Sequence, residues 1–343
     1  MPFELAIVGC GAITELGHAP GAMIAPGVVL KTLVDVDLAR ARALGSRLGV
    51  ADCRATIDGL ENSVDGAVLA LPHHLHEPIG VELLRRGLHI LMEKPLGCAV
   101  AECEALARAA ADAKRVLATA LVRRFSACNR LAKRIIDEGT LGRVISFEIR
   151  DGRMFSWPIK TDFLLRDDYP GRGVLIGNGS HFFDLALWWF GAVDAVDCVA
   201  DSRNGGETDA VVSLRMASGA TGVMRLSRIR DLDDAVIIRF ERGLLELPAF
   251  GPNARLSAPD GQPLMSVAPR LDDPLATSSA DIAELMSLQI KDFVTAARGG
   301  PGPEVGPEMA TEAIRLVERC AAAIRVAEAP WRRRVALPAR ELA

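Results

Sequence analysis

Phe3-Glu4-Leu5-Ala6-Ile7-Val8-Gly9-Cys10-Gly11-Ala12-Ile13-Thr14 is the stretch whose reading decides the fold. A six-residue run, apolar but for Glu4, stops at a glycine pair and passes directly into helical periodicity, which reads as strand, tight turn and helix. Such a run fits a parallel strand covered by helices on both faces. Gly9 allows the tight turn and Gly11 lets backbone amides approach a pyrophosphate. Ala12 and Ile13 lead into a helix whose amino terminus offers partial positive charge to that anion. Thr14 takes the place of a third glycine, which predicts a slightly wider spacing of helix and strand. Asp35 ends the next apolar run, 24 residues after Gly11. It turns a carboxylate toward an adenosine ribose, with no adjacent arginine to receive a 2′-phosphate, so NAD is expected over NADP.

Outward from this turn, short apolar runs at Val29–Val34, Gly66–Leu71, Leu88–Met92 and Val116–Val122 alternate with helical stretches. That is the pattern of a doubly wound α/β layer. Beyond residue 122 the pattern changes. Runs at Val144–Arg150, Asp209–Met216, Thr221–Ser227, Val236–Glu241 and Leu244–Leu247 follow one another with little helix, broken by turns such as Ser218-Gly219, and predict an open, mostly antiparallel sheet. Helices are expected at about 180–190, 281–297 and 308–327. The expected architecture is therefore an N-terminal Rossmann domain over 1–122 and a C-terminal α+β domain over 123–343 for substrate binding and oligomerisation, with the last helix packing back on the first domain. The Pro, Gly, Ser and Asp-rich stretch from Pro248 to Ser279 is long for a structureless loop and predicts irregular strand pairing or an oligomer contact.

The chain of 343 residues carries 40 Lys and Arg against 44 Asp and Glu, a formal net charge of -4. This balance lacks the phosphate attraction on which nucleic-acid binders depend, and the short basic run Arg332–Arg334 does not restore it. No window reaches the ~20 continuous apolar residues that cross a bilayer, and the amino end has no basic leader. Seven cysteines without paired spacing read as reduced core thiols. A cytoplasmic protein with a small-molecule partner, no nucleic acid and no membrane is expected.

Leu71-Pro72-His73-His74-Leu75-His76 and then Met92-Glu93-Lys94-Pro95-Leu96 stand at the ends of two of the predicted parallel strands. With the glycine turn, Arg123-Arg124-Phe125 and Gly173 to Asp184, they resemble the Gfo/Idh/MocA oxidoreductase family, which includes glucose–fructose oxidoreductase and inositol dehydrogenase. Glu-Lys-Pro is the most specific short motif of that resemblance. The resemblance implies NAD, hydride transfer to or from a sugar or cyclitol hydroxyl, and a homodimer or homotetramer formed through the C-terminal sheet. It also implies that Leu71, Pro72, His73, Glu93 and Pro95 border the cofactor, and that His76 caps the helix region next to it.

Two residues carry chemistry on physical grounds. Lys94, at the carboxyl end of a parallel strand, lies where doubly wound sheets bind ligands. A desolvated ammonium there has a lowered pKa and is able to relay a hydroxyl proton. His181 falls in the first turn of a helix, with Asn178 or Ser180 as its cap, and a helix amino terminus disfavours imidazolium. Neutral at working pH, His181 is expected to take a substrate proton as hydride leaves the same carbon. Dehydrogenases of the family usually carry an aspartate four residues before this histidine, where this chain has Gly177. Asn178 beside it hydrogen-bonds but takes up no charge. Arg124, Trp157, Lys160, Arg166, Tyr169 and Arg172, together with Asn178, are candidates for contacting the substrate. The cluster His73, His74 and His76 follows no metal-ligand spacing, and no metal is expected. Two further readings stay open: glycosidase-type chemistry with NAD and no net redox, and a redox-inactive dinucleotide-binding regulator, which the loss of the carboxylate at Gly177 motivates.

Overall fold

The computed structural model describes residues 1–158, 160, 171–203, 206–248, 253–267 and 273–327. The first half contains strands β1 (Phe3–Val8), β2 (Val28–Val34), β3 (Asp52–Arg54), β4 (Gly66–Leu69), β5 (His89–Met92) and β6 (Leu117–Thr119). The helices between them are α1 (Ala19–Ile24), α2 (Leu38–Leu48), α3 (His76–Arg85) and α4 (Val100–Ala113). All the pairings are parallel, in the order β3-β2-β1-β4-β5-β6. The order reverses between β1 and β4, and this switch point opens a ligand crevice at the strands' carboxyl ends.

The chain then runs through α5 (Ala127–Asp137), β7 (Val144–Gly152), α6 (Val174–Gly177) and α7 (Gly179–Phe190). A continuous run of strands follows: β8 (Val193–Ala200), β9 (Asp209–Met216), β10 (Thr221–Ser227), β11 (Ala235–Phe240), β12 (Gly243–Pro248), β13 (Ala254–Ser257) and β14 (Pro263–Val267). Helices α8 (Ile282–Ala297) and α9 (Pro307–Ala323) lead to the short β15 (Ile324–Val326). These strands form a nine-stranded sheet, β14-β13-β12-β11-β7-β10-β9-β8-β15. It is mostly antiparallel, with β7 parallel to β10 and β8 parallel to β15.

Strand period two explains how this sheet faces its neighbours. Phe147 and Ile149 of β7, Met224 and Leu226 of β10, and Val236 and Ile238 of β11 are all buried. They join Phe182, Phe183 and Trp189 of α7 and Ile314 and Val317 of α9 in one core. The alternate residues Glu148, Arg225 and Arg239 look outward, and Arg225 Nη1 donates to Glu148 Oε1 at 2.6 Å. Helix α8 covers the other unit: Ile290, Phe293 and Val294 pack with Phe3, Leu5 and Ile7 of β1.

Several boundaries differ from the sequence reading. The final helix stops at Ala323, and β15 follows as an edge strand. The stretch after Pro248 does contain strand pairing, β13 on β12 and β14 on β13. Helix α5 and strands β3 and β8 were not anticipated. α5 carries Arg130, Lys133 and Arg134 between its buried positions, and β8 is interrupted by Asp194 and Asp197.

Candidate active site

Gly9 adopts φ +98°, and a Cβ placed on it would meet the Ala70 carbonyl oxygen at 2.2 Å. The turn therefore closes tightly on β4 only with glycine. Gly11 has no atom within 4 Å of where a Cβ would lie, so the space in front of the turn is open to a ligand's phosphates. Thr14 is buried in place of a third glycine and donates from its hydroxyl to the Gly9 carbonyl at 2.6 Å. The helix begins with a π turn over Thr14–His18. Cys10 N donates to Asp35 Oδ2 at 2.8 Å. Ala12 is buried and Ile13 packs against Met286 and Leu285, which anchors the turn.

At Asp35 the fold adds what adjacency in sequence did not show. Arg40, from the first turn of α2, lays Nη1 3.1 Å from Oδ1 and 3.3 Å from Oδ2 of Asp35. A cavity of about 260 Å³ opens beside them, lined by Cys10, Glu15, Arg40, Arg47 and Lys160 among others. Lys160 is thus corrected from a substrate contact to this end of the crevice, where its Nζ stands 3.2 Å from Glu15.

The Glu-Lys-Pro segment leaves β5 into the crevice, with the Lys94–Pro95 peptide cis. Glu93 is buried and divides its oxygens: Oε1 lies 2.8 Å from His18 Nε2, and Oε2 accepts from Lys94 N at 2.8 Å. The partner His18 and the nearby Lys94 hold its carboxyl below the usual range against the opposing effect of burial. His76 is wholly buried, its Nδ1 2.7 Å from the Pro95 carbonyl and its Nε2 3.0 Å from the Leu71 carbonyl. It does not cap α3, which has no side-chain cap; it ties the loop after β4 to the loop after β5. His73 Nδ1 faces the Gly171 carbonyl at 2.7 Å, and the His73 and His76 rings meet edge to face with centroids 5.8 Å apart. Pro72, half-buried, starts the short helical turn that carries His73.

Lys94 Nζ donates to the Gly177 carbonyl oxygen at 2.8 Å, which joins the end of β5 to the end of α6. Burial lowers its pKa; Glu93 opposes the shift, and Arg228 and Arg123 add to it. His181 sits in the first turn of α7, where its backbone N donates to the Asn178 carbonyl at 3.2 Å. Its pKa is held well below the ordinary histidine value, first by burial and then by the charges of Lys94 and Arg123. Its Nδ1 is buried and has no hydrogen-bond partner among the described residues, an orphan that a ligand hydroxyl would satisfy. Neither expected cap is made: Asn178 does not cap α7 with its side chain. Ser180 Oγ reaches back only to the Gly177 carbonyl, at 3.4 Å. Asn178 is engaged elsewhere, its Nδ2 donating to Asp151 Oδ2 at 2.8 Å and its Oδ1 accepting from Arg228 Nε at 3.1 Å.

Arg124 is corrected from substrate contact to structural ion pair. It is 3% exposed, with Nε 2.9 Å and Nη2 2.6 Å from the Asp184 oxygens. Its neighbour Arg123 is the one that faces the crevice, with Nη2 3.7 Å from Asp151. Successive residues in a 3₁₀ turn point about 120° apart, so the two arginines diverge. Trp157 stays 42% exposed on the loop after β7, two residues beyond Phe155, whose ring centre lies 6.0 Å from the Arg228 guanidinium carbon. Arg172 is half-buried, with Nη2 3.7 Å from a Cβ built on Gly206. Tyr169, Arg166 and Arg332–Arg334 lie outside the described residues.

Two groups in the site escaped sequence reading, Asp151 and Arg228. Both had a signal. Asp151 is in phase with buried Phe147 and Ile149, and Arg228 with buried Met224 and Leu226, so each is a charged residue on an apolar stripe at a strand end. Because β7 and β10 run parallel, with Leu226 beside Asp151, both charges arrive at the same rim.

Residues 3–121 match the model of an oxidoreductase family with an NAD-binding Rossmann fold, and residues 129–246 match the Gfo/Idh/MocA C-terminal domain. The chain belongs to the Gfo/Idh/MocA oxidoreductase family. A levoglucosan dehydrogenase of Pseudarthrobacter phenanthrenivorans is 30% identical over 217 residues, 59% of this chain and 53% of that relative. The matched stretch thus spans about half the relative's length. The rhizopine catabolism protein MocA of Rhizobium meliloti is 27% identical over 92% of this chain and 93% of its own. An inositol dehydrogenase homologue of Azotobacter vinelandii, solved with NADH and myo-inositol, superposes with a TM-score of 0.81 at 21% identity, over 94% of this chain and 95% of that one. The family's Rossmann fold is NAD-binding, and the cofactor of this chain is NAD. Its glycine turn fits the cofactor's pyrophosphate, and the carboxylate of Asp35 fits a ribose. All seven cysteines are free, and no helix of the described residues is long and apolar enough to cross a membrane.

Proposed function

We propose that the chain is an NAD-dependent oxidoreductase that moves hydride between the nicotinamide and a hydroxyl or keto carbon of a sugar, cyclitol or related polyol. One observation carries this reading. Lys94 Nζ, from the end of β5, reaches the Gly177 carbonyl at 2.8 Å, and His181 stands one turn further on, in the first turn of α7, with its Nδ1 buried and unpaired among the described residues. Bound NAD supplies the hydride acceptor or donor. Lys94 would hold the reacting hydroxyl with its ammonium, kept in place by the Gly177 carbonyl. His181, neutral and with an unpaired Nδ1, would take the hydroxyl proton in oxidation and return it in reduction. Glu93, His18 and His76 are proposed as positioning residues that set the loop from which Lys94 projects, and Pro72, His73 and Leu71 as the wall beside it.

Asp151 offers a carboxylate in the site that Gly177 does not, and this favours redox chemistry over a regulator that only binds NAD. Absorbance of reduced nicotinamide, followed over a panel of sugars, cyclitols and sugar acids, tests the reading. Lys94→Ala and His181→Asn should each lower kcat by about 100-fold or more, the usual scale of a lost acid–base group. Saturation with NAD and no hydride transfer from any member of the panel would refute the reading. We further propose that the open face of the nine-stranded sheet, where Glu148, Val223 and Arg225 stand, joins protomers into a dimer or tetramer in the cytoplasm. Sedimentation of the intact chain checks it, with Val223→Glu expected to yield monomers.

A further inference from the structure

Gly177 raises a question of space. A Cβ built on it would lie 1.8 Å from Arg228 Nη2 and 3.0 Å from the guanidinium carbon. The space in front of Gly177 is filled by the end of a cationic side chain. Among the hydrogen bonds of the described residues, Arg228 spends only Nε, on Asn178. Its two terminal nitrogens, four N–H donors, have no hydrogen-bond partner among the described residues. Lys94 and Arg123 are the other cations at this rim. The carboxylates that face Arg228 are Asp151, already bonded to Asn178 and near Arg123, and Glu207, whose Oε1 accepts from Leu175 N at 3.1 Å. Burial lowers the pKa of Arg228 more than these two carboxylates raise it. Arg228 therefore meets Lys94 and Arg123 at this rim, with Asp151 shared between Asn178 and Arg123 and Glu207 bonded to Leu175 N. An arginine fork held by its Nε and left open at both terminal nitrogens matches a planar or tetrahedral oxyanion.

Building on the oxidoreductase reading above, we propose that Arg228, in the space Gly177 leaves, binds an anionic group on the polyhydroxylated substrate. The substrate would then be a sugar acid or sugar phosphate in place of a neutral polyol. Arg228 is a specificity-determining residue in this scheme, with Arg123 as the second cation and Asn178 as the residue that holds Nε. The chemistry shared by the two anion sources is a negatively charged oxygen group one sugar length from the reacting hydroxyl.

Calorimetric titration of the intact protein, with and without NADH, tests this without any need for turnover. The probes are D-gluconate, D-glucose 6-phosphate and sorbitol. One of the two anions should bind at least about 30-fold tighter than sorbitol, the scale of a partly buried charge pair, and whichever it is identifies the source. Arg228→Met should erase that preference with NADH affinity and melting temperature unchanged. Gly177→Asp, which drives Nη2 from its place, should erase it as well, so the result does not hang on one variant. Binding of sorbitol equal to that of both anions, binding of no probe, or an anion preference that survives both substitutions would overturn the proposal. Arg228-dependent anion binding without hydride transfer from any compound would instead remove the oxidoreductase reading and leave this one standing.

Discussion

Gly9 and Gly11 carry one motif between them for unlike reasons, and the difference is measurable. At Gly9 a side chain meets a backbone carbonyl in a left-handed conformation, so Gly9→Ala should cost about 2 kcal/mol of stability or more. At Gly11 it meets only open space. Gly11→Ala should therefore leave urea stability within about 0.5 kcal/mol while weakening NAD about tenfold or more, as one disturbed pyrophosphate contact would. A stability loss at Gly11 equal to that at Gly9 would contradict this account. Arg123 is a second case. Its charge is one of the causes that hold the His181 pKa down, and alcohol oxidation needs the unprotonated ring. The rate is full above that pKa and falls below it, so Arg123→Met, by letting the pKa rise, should move the acid limb of kcat/KM toward neutral pH. An unmoved limb would mean that His181 is not the titrating base.

Among the elements, the parallel strands were the most legible, because burial on both faces leaves runs such as Phe3–Val8 nearly unbroken in the sequence. The positions of Lys94 and His181 could be read for a related reason: one follows a strand end and the other opens a helix, and the roles proposed for them rest on that placement. What lay beyond reach was the choice between neighbours. Nothing in Arg123-Arg124 says which guanidinium turns inward, since that depends on Asp184 waiting on α7, sixty residues away. The edge strands β3 and β15 were hidden because Asp52, Arg54 and Arg325 break up any apolar run there. The Arg124–Asp184 pair is itself a prediction at this scale. Burial raises the carboxyl's pKa despite the arginine, so Asp184→Asn, which strands a buried cation, should cost about 3–5 kcal/mol in chemical denaturation. A double change to Met at Arg124 and Leu at Asp184 should recover most of the loss. Equal cost in the single and double variants would show that the pair is not what the site loses.

Across the whole molecule, the chain crosses between its two sheets more than once. Helix α8 leaves the second unit to cover β1, and Val305, just before α9, accepts at its carbonyl from Thr119 N at the end of β6. Arg124, Asp184 and Glu304 lie along the same seam, with Arg124 Nη1 3.4 Å from the Glu304 carbonyl. The crevice is thus framed by segments far apart in sequence, which is why its cationic end could not be read from any local pattern. Gly177, at the end of α6, and Arg228, directly after β10, stand side by side, and their contact has a consequence for descent. An acidic side chain at the first position would push the free end of the Arg228 side chain aside, a shift that a flexible side chain makes at little cost, and would neutralise the cation it displaced. Lineages can therefore trade one charge preference for the other by changing the glycine first, so intermediates that carry both an acidic residue there and the arginine should be found in the family's history.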